Sequence, residues 1–142
     1  MTSDEIVRVA GQIRQILLRE FPEWPNLKNQ CKRAAILLDL YGKRRNLSWY
    51  PTAGFITKDL DTNDHQRGHV WTIVHHDHQQ YILDVTLTQF EEYLKLPVPS
   101  VVFMPWRDAQ ILYGYRPDGY GVYEYEVADV RSSLIEHVNQ IS

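Results

Sequence analysis

The spacing of apolar residues changes several times along the chain, and each change marks an element. Ile6, Val9, Ile13, Ile16 and Leu17 recur at helical spacing. Thr2 and Glu5 stand at capping-box spacing ahead of that run, which predicts a first helix from about Ser3 to Glu20. Pro22 and Pro25 in FPEWPN end it in a loop, because proline cannot continue the backbone ladder. A second helical pattern runs from near Asn29 to Leu40 or Tyr41. Ala34, Ala35, Leu37, Leu38 and Tyr41 form its wide apolar face, and Gly42 suits its C-terminal cap.

The pattern becomes strand-like from Ser48 to Ile56. The segment Lys58 to Gly68, KDLDTNDHQRG, is polar and aperiodic and reads as a surface loop. Gly68 to Phe90, GHVWTIVHHDHQQYILDVTLTQF, gives two apolar segments joined by a histidine-rich turn, the mark of a β-hairpin. LTQFEEYL adds a short helical turn. Val98 to Trp106 and Tyr120 to Val127 carry strand formers. Val130, Leu134, Ile135 and Val138 mark a closing helix from about Asp129 to Asn139. Helices, then antiparallel strands, then a helix predict an α+β fold, with the sheet packed against the helix that carries Cys31. The 142 residues suffice for one domain, 1–142, with a substantial core.

Composition narrows the function. The chain is 44% hydrophobic, with the apolar residues spread throughout, which favours a folded globule. A net charge of -3 and no long basic run argue against nucleic acid as a partner, and Lys43, Arg44 and Arg45 read as a solvated turn. No apolar run approaches the roughly 18 residues of a membrane helix. MTSDEIVRVAGQ, acidic and then amphipathic, is unlike a secretory signal. The single cysteine, Cys31, allows no intrachain disulfide and points to a reducing, cytoplasmic setting.

Histidines raise a metal reading. His75, His76 and His78, with Asp77, crowd one tight turn, which does not aim three imidazoles at one point. His65 and His69 are four apart, but Gly68 lies between them and the segment is not helical. No metal and no cofactor are expected.

The remaining signal is a constellation. A turn centred between His76 and Asp77 would set His69 directly opposite Asp84, Trp71 opposite Ile82, and Ile73 opposite Gln80. Opposed side chains lie about 5 Å apart at Cβ, so the carboxylate could bond the ring and fix its tautomer. Trp71, on the same face, would pack in the core or wall the cleft. Cys31, in the first turn of the second helix, would sit in the field of a helix N-terminus that favours the thiolate and offers free N–H groups to an oxyanion. Nucleophile, base and orienter are then all present. The tyrosines at 113, 115, 120, 123 and 125 read as lining a twisted sheet, or as an exposed row that binds a protein.

The order Cys, His, Asp, carried by NQCKRAAILLDLYG, GHVWTIV and YILDVTLTQF, resembles the papain-like/transglutaminase-like superfamily over roughly Asn26 to Phe90. The intervals look like those of arylamine N-acetyltransferases and transglutaminase-fold deaminases. D-V-T-x-x-Q-F looks like a pattern of small bacterial members. The resemblance implies a papain-like core, with Cys31 as nucleophile, His69 as general base and acid, and Asp84 as orienter. It implies a thiol peptidase, or a glutamine deamidase or transglutaminase, acting through a thioester on a protein or peptide. A delivered effector or toxin is a setting it also implies. The chain departs from papain in having the Pro22–Pro25 loop where the oxyanion glutamine would stand. Gln30 and Asn29 are nearer candidates for that role, with Trp71 and Gln89 as further site candidates. The alternative is an idle papain-like fold that binds proteins through its tyrosines.

Overall fold

The computed structural model describes residues 1–57 and 67–142. The elements run α1 (Ser3–Glu20), α2 (Cys31–Arg44), β1 (Trp49–Ile56), β2 (Gly68–His76), β3 (Gln79–Asp84), α3 (Glu91–Leu94), β4 (Val102–Pro105), α4 (Trp106–Tyr113), β5 (Tyr115–Val122) and α5 (Ser132–Asn139). Helices lead, five antiparallel strands follow in the order β4-β3-β2-β1-β5, and α5 closes the chain. The fold is therefore α+β. The polar segment expected from Lys58, with His65 in it, falls mostly at positions 58–66, outside the described residues. Among the described residues no helix is long and apolar enough to cross a membrane.

Alternation along the strands builds two cores. Val74 and Leu83 point to the face covered by α1, α2 and α5, where Ile13, Leu17, Leu37 and Leu134 are fully buried. Trp71, Ile73 and Ile82 point to the other face, with Ala109 and Tyr113 of α4 and Leu87 and Leu94 from the segment after β3. Helix α2 lies on the central strands β1 and β2. Its start is therefore delivered to the middle of the sheet.

Thr2 caps α1, its side chain accepting from the Glu5 amide at 3.1 Å. Helix α2 runs further than its pattern predicts. Gly42 does not cap it but lies buried inside it, where an added Cβ would come within 2.9 Å of Trp49. Asn46, left-handed at φ 55, closes the helix instead, with Leu47 N–H bonding Gly42 O and Asn46 N–H bonding Lys43 O.

The hairpin register also differs from expectation. Asp77 and His78 are both left-handed, φ 49 and 65, so they form the two-residue turn themselves. Ile73 then faces Ile82, and His75 faces Gln80. His69 is not directly opposite Asp84, nor Trp71 opposite Ile82; the slip is two residues. A shift of two keeps every side chain on its face, so His69 and Asp84 become diagonal neighbours on the same side.

Two more elements depart from the sequence pattern. Helix α4 was not predicted, because its apolar residues do not form one inward stripe: Ala109 and Tyr113 are buried while Ile111 is 81% exposed. Strand β5 starts at Tyr115, ahead of the predicted Tyr120 to Val127. It accommodates Pro117 because it is an edge strand.

Candidate active site

Cys31 is the first residue of α2 and is partly exposed. The first turn carries no acidic side chain, so nothing offsets the positive end of the helix. The Cys31 thiol hydrogen-bonds the His69 ring, and the main chain of Val70 supplies a second bond to the sulfur. His69 Nε2 lies 2.6 Å from Asp84 Oδ2. The three side chains named from the sequence thus come together.

Asp84 ends β3, 2% exposed, with four hydrogen-bonding contacts. Oδ2 receives His69 Nε2 and, at 2.7 Å, the Tyr115 hydroxyl. Oδ1 accepts the Thr86 amide at 2.9 Å and the Thr86 hydroxyl at 3.2 Å. A buried carboxylate needs this many partners to stay charged. Burial pushes its pKa up, but the His69 ring and the Tyr115 and Thr86 bonds outweigh burial and hold it below the usual carboxylate value.

The other two groups respond to the same charges. Burial pulls His69 down, yet the Asp84 charge and bond, reinforced by Cys31, raise it to about 10. Burial raises Cys31, and the neighbouring Asp84 charge adds to this. The His69 bond and charge, with the Val70 contact, prevail and set the thiol below its ordinary value. An imidazolium–thiolate pair is the state these shifts favour.

Aromatic groups enclose the ring. Trp71 stacks on His69 with centroids 6.0 Å apart, and Phe90 meets it edge-on at 5.1 Å. Trp71 is 1% exposed, and its buried indole N–H has no hydrogen-bond partner among the described residues. Gly54 on β1 makes the close approach possible: it pairs with His69 on one side and Pro117 on the other. A Cβ there would lie 2.7 Å from the Trp71 ring and 2.1 Å from the Arg116 carbonyl oxygen.

The remaining sequence candidates take different places. Gln30 precedes the thiol, is 2% exposed, and its side-chain oxygen accepts from Arg33 at 3.1 Å. Asn29 has an exposed side chain and a left-handed backbone, φ 66, and contributes its main-chain N–H. Gln89, in the 3₁₀ turn Leu87–Phe90, joins the two halves of the site. Its Oε1 is 3.4 Å from Asn29 N, and its Nε2 is 3.4 Å from His69 Nδ1. His76 turns away to Ser3, Tyr81 and Phe103, while His75 faces Tyr50. Among the described residues no three His, Cys, Asp or Glu side chains are grouped to hold a metal.

Tyr115, Thr86 and Arg14 are the members that the pattern analysis did not single out. Tyr115 was read only as part of an aromatic run. Thr86 could have been found from D-x-T, since an aspartate commonly accepts from the amide two residues on. Arg14 interrupts the apolar stripe between Ala10 and Leu17, which marks a buried cation. Its Nη1 donates to Val85 O and to Thr88 Oγ1, and Thr88 in turn donates to Asn26 O. The turn after Asp84 is thereby pinned to α1 and to the loop before Cys31. Tyr113 is buried like Tyr115. Tyr123 and Tyr125 are half-buried beside a groove of about 750 Å³ that Trp49 and Tyr50 also line.

No family model, no curated protein and no solved structure matches the chain.

Proposed function

We propose that the protein is a thiol-dependent amide hydrolase or acyl transferase built on a papain-like/transglutaminase-like core. The observation that carries this reading is a partly exposed thiol at the start of a helix, bonded to a buried imidazole whose other nitrogen is held by a fully satisfied carboxylate. A core packing role needs no such set, and burying two ionisable groups for packing alone is costly.

The mechanism follows from the parts. The Cys31 thiolate attacks an amide carbonyl carbon. N–H groups at the start of α2 receive the charge that develops on oxygen. As the C–N bond breaks, His69 gives its Nδ1 proton to the leaving nitrogen, and a thioester remains. Water or an amine then attacks the thioester and loses a proton to His69, and Cys31 leaves as thiolate. Asp84 keeps the ring oriented throughout. Peptide cleavage, glutamine deamidation and amine transfer share these steps and differ in leaving group and acceptor.

The test is timed iodoacetamide labelling of Cys31 near neutral pH in native protein, in denaturant, and in His69→Ala. The expected result is fast native labelling that slows without His69. Labelling that occurs only after unfolding would sink the proposal and leave the binding-module reading, with the tyrosine-lined groove as its surface.

A further inference from the structure

Gln89 holds its carboxamide in one orientation. The Asn29 N–H can only donate, so the amide atom facing it at 3.4 Å is the oxygen. The atom facing His69 Nδ1 at 3.4 Å is therefore the NH₂ group, which also only donates. That contact requires a lone pair on Nδ1, with the ring proton on Nε2 toward Asp84. The imidazolium that pairs with a thiolate carries its proton on Nδ1, where two donors would then face each other. The Gln89 contact therefore competes with the ion pair for the Nδ1 edge.

The placement also matches what an amide under attack requires. Its oxygen lies against a main-chain N–H of the loop leading into α2, and its nitrogen against the ring that would protonate a leaving group. With Nε2 committed to Asp84, the thiol and the Gln89 amide share the Nδ1 edge of the ring. Both Gln89 contacts are at the long end of hydrogen bonding, so an incoming ligand loses little by replacing them. Gln89 is half-buried on a short turn, and its side chain can swing away without disturbing a strand.

We propose that the Gln89 carboxamide is a tethered occupant of the amide subsite, competing with the Cys31 sulfur for the Nδ1 edge of His69 and so slowing the thiolate until a substrate bearing a primary carboxamide, as on a glutamine side chain, displaces it. This rests on the thiol-enzyme reading. A primary amide is the ligand class because the atom held against His69 is an unsubstituted NH₂.

The experiment measures the rate of Cys31 alkylation by iodoacetate at pH 7 in wild type, Gln89→Ala, and each with His69→Ala added. It then repeats the Gln89→Ala measurement with a capped Gln-Gly dipeptide or its Glu-Gly counterpart present. Gln89→Ala is expected to react about three- to tenfold faster than wild type, the weight of one neutral hydrogen bond. The Gln dipeptide is expected to protect Cys31 better than the Glu dipeptide. An unchanged or slower rate in Gln89→Ala, or no preference for the Gln dipeptide, overturns the inference while His69-dependent labelling leaves the thiol reading standing. Labelling indifferent to His69 in both backgrounds overturns the reading and the inference together.

Discussion

Replacing His69 with alanine should destabilise the fold by roughly 3–5 kcal/mol near pH 6, the usual cost of removing one partner of a buried ion pair. The size follows from the geometry: the His69 and Asp84 side chains are 0% and 2% exposed and 2.6 Å apart. A ring kept protonated to about pH 10 instead of 6.5 prefers its charged form by roughly 5 kcal/mol, at about 1.4 kcal/mol per tenfold. Domains of this size are stable by only about 5–15 kcal/mol, so the loss is a large fraction. The Cys31 pKa is lowered on folding, so its contribution grows as pH climbs and opposes that of His69; with Cys31→Ala in both proteins the pH dependence has a definite sign. The His69 pKa is raised on folding, so its contribution is complete below about pH 6.5 and fades as pH climbs toward 10. The Asp84 pKa is lowered, so its contribution is complete above about pH 4 and fades as pH falls through its folded value. Without His69, Asp84 keeps the burial that raises its pKa and loses the largest influence that lowers it. The variant therefore loses less stability than wild type as pH falls. Urea unfolding at pH 4, 6 and 9, with and without His69 in a Cys31→Ala background, should therefore show the largest difference at pH 6. A difference below about 1 kcal/mol at all three, or one that widens from pH 6 to 9, refutes the reasoning.

Three further outcomes follow from the same contacts. Tyr115→Phe removes the 2.7 Å donor to Asp84 and should cost about 1.5–3 kcal/mol in urea unfolding. It should also shift acid unfolding to higher pH, because a bond to the charged carboxylate is gone. Gly54→Ala sets a methyl 2.1 Å from the Arg116 carbonyl oxygen, so β1 and β5 must part; a thermal melt should show a loss of at least about 2 kcal/mol. His78→Gly relieves a left-handed residue, φ 65, in the hairpin turn and should stabilise the protein by about 1 kcal/mol, read as a raised melting temperature.

Much of this architecture was legible where one residue type repeats at one period. Helix α1 appears in the sequence because its stripe, its cap and the prolines beyond it agree. The partnership of His69 and Asp84 was legible for a subtler reason. The register inferred from the turn was wrong by two residues, yet strand alternation preserves the face under any even slip, so the pair still met. What stayed hidden depends on contacts distant in sequence. The Tyr115 hydroxyl reaches Asp84 across β1 and β2, and the close packing over Gly54 that accompanies it has no local signature. Helix α4 stayed hidden because Ile111 and Leu112 point outward and break the expected stripe. Gly42 misled because glycine marks a helix end only when no bulky neighbour needs its space, and Trp49 does.

The shell around Asp84 is drawn from elements far apart along the chain, from Arg14 on α1, which holds the turn after it, to Tyr115 on β5. A nascent chain halted before Tyr115 already contains the sulfur, the imidazole and the carboxylate, but not the strand that completes the shell around the carboxylate. The carboxylate that orients the thiol's partner therefore receives its hydroxyl donor only once β5 has docked, which ties the tuning of the site to the closing of the sheet edge.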